Sequence, residues 1–276
     1  MQHQELNWSS RDGLQLFAQL WQPETEPRAV VCLVHGLGEH SGRYGHLAAA
    51  LGTIDCALLG FDLRGHGRSP GRRGHTPAYE ALLDDIAVLL EQAEQRFPDR
   101  PRFLYGHSMG GGLVLNYGLR RRPQLAGVIA TGPALLPGFE PSPVVVASAR
   151  IMNKLWPGLL MNNQLDLKFL SKDPQVVAAY KADPLVHDRL SARLGHLVLE
   201  TGPWALEHAA EFSLPLLLMH GSEDGLTSPA GTRQFAERVP GDCTCRVWEG
   251  LYHEIHNEPE QDQVFAVILD WLKARL

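Results

Sequence analysis

No apolar run in this 276-residue chain approaches the roughly 20 residues that a membrane-spanning helix needs. The opening stretch, MQHQELNWSS, is polar and carries no apolar segment to act as a secretion signal. A cytoplasmic location is the expectation. There is no basic block, and the formal net charge is -6, which argues against nucleic acid as the main partner. Cysteines number only four, with no CxxC spacing and no paired Cys/His cluster, so neither a structural zinc nor a disulfide is expected. Cys32 and Cys56 sit in apolar runs and read as buried small hydrophobes. Cys243 and Cys245 stand two apart in a strand-like segment, on one face. Internal repeats and low-complexity tracts are also missing.

What is present is an alternation of two kinds of segment. LNWSSRDGLQLFAQLW reads as two strands around the turn Arg11-Asp12-Gly13. AVVCLVHG, CALLGFD, FLYGHS, GVIATG and LPLLLMHG are near-continuous apolar runs, suited to strands buried on both faces of a parallel sheet. CRVWEG is a weaker strand candidate. Between them lie amphipathic stripes. Tyr79, Leu82, Leu83, Ile86, Leu89, Leu90 and Ala93 recur at helical steps within residues 77 to 97, ahead of Pro98. Residues 258 to 275 repeat the pattern with Val264, Val267, Ile268, Trp271 and Leu272. The alternation predicts an α/β fold with a mostly parallel sheet.

Residues 136–212 interrupt it. No strand is expected there, and PSPVVVASARIMNKLWPGLLM and SARLGHLVLETG look helical and unusually apolar. The segment reads as a helical insertion, or cap, over the carboxyl edge of the sheet. Residues 1–135 and 213–276 then form the core.

The chemistry centres on Gly106-His107-Ser108-Met109-Gly110, a G-x-S-x-G run between an apolar strand and a helix. Such a turn exposes a serine at the sheet edge as a nucleophile. Serine needs a base and an orienting acid, and in this chain order the acid precedes the histidine. Asp224 and His253 both follow strand ends and are the candidates, with Glu223 a rival acid and His256 a rival base. The backbone N–H groups of Met109 and of Leu37, in the loop VHGLGEHSGRY, are the candidate oxyanion donors. His35 reads as a buried imidazole that braces this loop. FDLRGHGRSPGRRG lacks the spacing of a phosphate-binding loop; Asp62 and Arg64 are expected to hydrogen-bond its own backbone.

HGLGEHSGRY, FDLRGHGRSPGRRG, GHSMGG, HGSEDGLTSPAG and YHEIHNEPEQ together resemble the monoacylglycerol lipases and lysophospholipase-like members of the α/β-hydrolase superfamily. The likeness runs over nearly the whole chain and takes in KADPLVHD, 181 to 188, in the cap. It implies the α/β-hydrolase fold, a Ser108–His253–Asp224 triad, an oxyanion hole at Leu37 and Met109, and no cofactor or metal. It also implies that Glu39, Arg43 and His256 line a polar head-group pocket. The implied substrate is a monoacylglycerol. Lysophospholipids, other single-chain esters and thioesters remain alternatives, because the triad does not read the leaving group. A catalytically silent ligand binder would lack a triad member, and all three are present. The apolar cap residues Val144, Val145, Val146, Ile151, Met152, Leu155, Trp156, Leu159 and Leu160 suggest transient contact with a membrane surface; the competing expectation is that they pack on the core.

Overall fold

The computed structural model describes residues 1–139 and 142–276. The expected cap helix opens at Pro141, which lies outside the described residues, as does the side chain of Val145. In chain order the elements are β1 (Gln2–Ser9), β2 (Gln15–Gln22), β3 (Ala29–Val34), α1 (Gly45–Gly52), β4 (Cys56–Phe61) and α2 (Tyr79–Arg96). Then come β5 (Arg102–His107), α3 (Met109–Arg121), β6 (Gly127–Thr131), α4 (Pro143–Leu155), β7 (Leu160–Asn162) and α5 (Pro174–Ala182). The chain ends with β8 (Arg189–Ser191), α6 (Ala192–Glu207), β9 (Leu216–Gly221), α7 (Pro229–Arg238), β10 (Cys243–Trp248) and α8 (Gln261–Lys273).

Among the described residues one sheet of eight strands has the order β1-β2-β4-β3-β5-β6-β9-β10. β1 pairs antiparallel with β2, and β2 with β4; the other neighbours are parallel. The apolar runs are strands because both faces are covered. Val30, Cys32 and Val34 of β3 join a cluster with α2 and α3, while Val31 and Leu33 join one with α1 and α8. Each strand therefore needs apolar residues at consecutive positions, not alternate ones.

The chain leaves β3 for β4 on one side and returns to β5 on the other. This reversal opens a crevice beyond the carboxyl ends of β3 and β5, where ligands bind in open α/β sheets. Gly36-Leu37 follow β3, and Ser108 follows β5.

The segment 136–212 departs from expectation in one respect. β7 and β8 form a small antiparallel ribbon, Leu160 opposite Ser191 and Asn162 opposite Arg189. Three residues are too few to show a period of two, so the sequence carried no signal for them. Backbone bonds fasten the segment to the loops beyond the strand ends. His187 N–H donates to Gly38 O at 2.9 Å, Ser191 N–H to Gly74 O at 2.8 Å, and His253 N–H to Phe169 O at 3.0 Å. Its apolar residues divide between half-buried and exposed positions. Val146, Met152, Leu159 and Leu160 are half-buried. Val144, Ile151, Leu155 and Trp156 stay exposed, at 76%, 56%, 77% and 61%. No helix among the described residues is long and apolar enough to cross a membrane.

Candidate active site

Ser108 holds φ 55° and ψ −118°, a conformation that costs a non-glycine residue about 1–3 kcal/mol. The surroundings impose it. Ser108 N–H donates to Thr131 O at 2.9 Å, and Ser108 O accepts from Gly112 N–H at 3.0 Å and Ala134 N–H at 2.9 Å. The two glycines of the motif are there for clearance. A Cβ at Gly106 would strike Gly110 O, and one at Gly110 would strike Val34 O. The start of α3 is thus pressed onto the end of β3, and Ser108 stands at the corner between them. A Cβ at Gly36 would lie 3.1 Å from Ser108 Cβ, so the loop after β3 runs alongside the serine. Met109 opens α3, whose first N–H groups have no partner within the helix.

The structure brings Asp224 and His253 together. His253 Nδ1–H donates to Asp224 Oδ2 at 2.7 Å, with both side chains buried. This fixes the proton on Nδ1 and leaves Nε2 as a lone pair. Burial pushes the His253 pKa down, but the charge and hydrogen bond of Asp224 outweigh it, and the net shift is upward. Burial likewise opposes ionisation of Asp224; His253 and His220 hold it well below the ordinary carboxylate range. Gly132, next to Thr131, brings the two halves together: a Cβ there would lie 3.2 Å from His253 Nδ1. Glu223 is exposed and its N–H is tied to Leu251 O, whereas the Asp224 carboxylate is buried against His253.

Sequence reasoning missed the company Asp224 keeps. Its Oδ2 also accepts from His220 Nε2–H at 2.9 Å and Thr227 Oγ1–H at 2.8 Å. Its Oδ1 accepts from Leu226 N–H at 2.8 Å and Thr227 N–H at 3.0 Å. The available signal was the spacing of His220, at the end of β9, four residues before the acid. His107 lies 4.7 Å, ring to ring, from His253; burial, with the neighbouring imidazole, pushes its pKa down to about 4, so it stays neutral beside the base.

Glu39, Arg43 and His256, for which the resemblance implies a head-group role, are engaged within the protein itself. Glu39 is 3% exposed, and both carboxylate oxygens are taken: Oε1 by Gly36 N–H at 2.6 Å and Tyr44 OH at 2.8 Å, Oε2 by Arg43 Nη1 at 2.8 Å. Arg43 also forks onto Glu254, at 2.5 and 2.7 Å, a partner the sequence did not suggest. Burial opposes the Glu39 charge, but Arg43 overcomes this and draws its pKa down to about 2. His256 is fully buried, stacked 5.1 Å from the Tyr44 ring and edge-on at 4.7 Å to His107. Burial holds it neutral, and neither ring nitrogen has a hydrogen-bond partner. These three residues brace the loop after β3.

The supporting loops follow the same logic. His35 is buried; its Nε2 accepts from Leu63 N–H at 2.9 Å and its Nδ1 contacts Gly36 O at 2.8 Å. Asp62 accepts from Arg68 N–H within its own loop, at 2.7 Å, and from Ser41. Arg64 differs from expectation. It bonds not to its own backbone but to Asp85, at 2.6 and 2.7 Å, and to Asp12. A guanidinium fork suits two carboxylates better than isolated carbonyls.

Comparison with known proteins gives the family. Residues 25–260 match the family described as "Serine aminopeptidase, S33". The chain is 40% identical to the monoacylglycerol lipase of Mycolicibacterium smegmatis, over 99% of this chain and 98% of that protein. It is 38% identical, over 98% of its length, to an abhydrolase domain-containing protein of Dictyostelium discoideum, of which it spans 29%. The crystal structure of the Paleococcus ferrophilus monoacylglycerol lipase superposes with a TM-score of 0.86, at 36% identity and full coverage of both chains. Fold, turn and relatives agree: the chain belongs to the monoacylglycerol lipase-like family of α/β-hydrolases.

Proposed function

We propose that this protein is a serine esterase that hydrolyses monoacylglycerols to fatty acid and glycerol through an acyl-enzyme. The observations that support the reading are the buried 2.7 Å bond from His253 to Asp224 and the strained turn that holds Ser108 beyond the end of β5. His253 Nε2 takes the proton of Ser108 as Oγ attacks the ester carbonyl. Asp224 holds the ring's tautomer and stabilises the imidazolium. The N–H groups of Leu37 and Met109 receive the oxyanion. The alcohol leaves with the proton from His253, and water, deprotonated by the same nitrogen, then releases the acid.

A narrow apolar groove of about 10 Å³ beside Met109, lined by Leu82, Leu113, Leu194, Leu197 and Val198, is too small for an acyl chain as it stands; the acyl chain would enter it as α6 moves outward. Each methylene buried there contributes about 0.8 kcal/mol. We read 136–212 as the lid over this groove, since α6 supplies part of its wall. The exposed Ile151, Leu155 and Trp156 would touch a lipid surface, a finer expectation that rests on their exposure alone.

The test is the ratio of specificity constants for monolauroylglycerol and trilaurin in matched micelles. The proposal expects a clear preference for the single-chain ester. A ratio near one, or faster cleavage of trilaurin, overturns the monoacylglycerol assignment.

A further inference from the structure

Away from the hydrolytic site, Cys243 and Cys245 occupy alternate positions of β10, the last strand of the sheet. They pair with Leu216 and Leu218 of β9, both of which belong to the core on the α2–α3 side. Both thiols therefore stand on the same side of the strand, and Cys243 packs partly against that core. Cys243 is half-buried and Cys245 exposed, and both are free thiols. Cys32 and Cys56, in contrast, are wholly buried in the central strands.

The spacing decides what chemistry suits them. Alternate residues of a strand lie about 6.6–6.8 Å apart at Cα. Disulfides prefer about 5.5–6 Å, so direct oxidation of this pair meets the outer limit of the geometry. A thiophilic centre between the sulfurs relieves that demand, because two bonds of about 2.3 Å, as in zinc thiolates, span up to about 4.6 Å. Zinc itself calls for four ligands, and no group of three or more His, Cys, Asp or Glu placed to hold a metal occurs among the described residues. A centre satisfied by two sulfurs is what remains. Burial pushes the Cys243 thiol up to about 11, with Cys245 adding to it, so the thiols are protonated at neutral pH and slow as simple nucleophiles.

We propose that Cys243 and Cys245 form a dithiol site for trivalent arsenicals, remote from the hydrolytic centre. The reaction is a condensation without change of oxidation state. Two S–H bonds and the As=O bond break, two As–S bonds form, and the oxygen leaves as water with both thiol protons. The pair lies at the opening of β10, whereas Ser108, Asp224 and His253 follow the carboxyl ends of their strands.

The experiment is intact-mass analysis of the full chain with phenylarsine oxide. Wild type should take one phenylarsenic per chain, resistant to 2-mercaptoethanol and removed by 2,3-dimercaptopropanol. Cys245→Ser, at an exposed position, should fold normally and lose the resistant adduct. Cys243→Ser should lose it too. Hydrolysis of a soluble ester by the adduct should match that of the free protein. A resistant adduct that persists in Cys245→Ser, an adduct stripped by monothiol, no adduct in wild type, or loss of hydrolysis on binding would each overturn the proposal.

Discussion

Replacing Asp224 by Asn keeps the shape of the acid and removes its charge. The consequences can be worked from the hydrogen bonds. Oδ1 accepts from two backbone N–H groups, Leu226 and Thr227, so the amide oxygen takes that side. The NH2 then occupies the place of Oδ2, where His253 Nδ1–H, His220 Nε2–H and Thr227 Oγ1–H all donate. An NH2 cannot accept from any of them. His253 must shift its proton to Nε2 to accept at Nδ1, and that nitrogen then has no lone pair for the serine. In the trypsin-type triad the same change lowers kcat about 10⁴-fold, equivalent to about 5.4 kcal/mol of transition-state stabilisation. A loss of that order is expected here, read as kcat on a soluble p-nitrophenyl ester, with circular dichroism confirming the fold. Glu223→Gln, at an exposed position, should stay within about threefold of wild type, since such surface changes shift energies by about 0.5 kcal/mol. Activity of the Asp224→Asn variant within tenfold of wild type, or a larger loss in the Glu223 variant, would refute the assignment of the acid.

Activity should fall on acidification along a limb centred above pH 6.5, the ordinary histidine value, because His253 is shifted upward and only its neutral form accepts the serine proton; a pH–rate profile with its limb below 6 would contradict this. Arg43→Ala leaves two buried carboxylates, Glu39 and Glu254, without their cation and should cost about 3–5 kcal/mol in urea unfolding; a change under about 1 kcal/mol would mean the network is dispensable. Ser at Ile151, Leu155 and Trp156 together should weaken liposome binding and leave a soluble short ester nearly unaffected; equal loss on both would favour a packing role.

Much of this architecture was legible because each signal was local or periodic. The apolar runs of β3 to β6 announce strands covered on both faces. The G-x-S-x-G run announces a tight corner, and Gly106 and Gly110 prove to be where side chains would collide with backbone. Chain order could not separate Asp224 from Glu223, since adjacent carboxylates after β9 both fit it; the fold distinguishes them by burying one and exposing the other. What escaped was long-range pairing. Glu254 lies 211 residues from Arg43, and nothing in either segment marks them as a fork. The resemblance implied a head-group role for Glu39, Arg43 and His256 but not their internal partners: Glu39 and Arg43 pair with each other, and His256 stacks on Tyr44. The ribbon of β7 and β8 was invisible because three residues carry no period.

The central claim is that Ser108 is the nucleophile that carries the acyl group. The most direct measurement is labelling by a fluorophosphonate, followed by peptide mass mapping, in wild type and in Ser108→Ala. The account predicts a single label on the peptide containing Ser108 in wild type, none in the variant, and loss of ester hydrolysis with the fold unchanged. Labelling at another residue, or hydrolysis retained by Ser108→Ala, would contradict it.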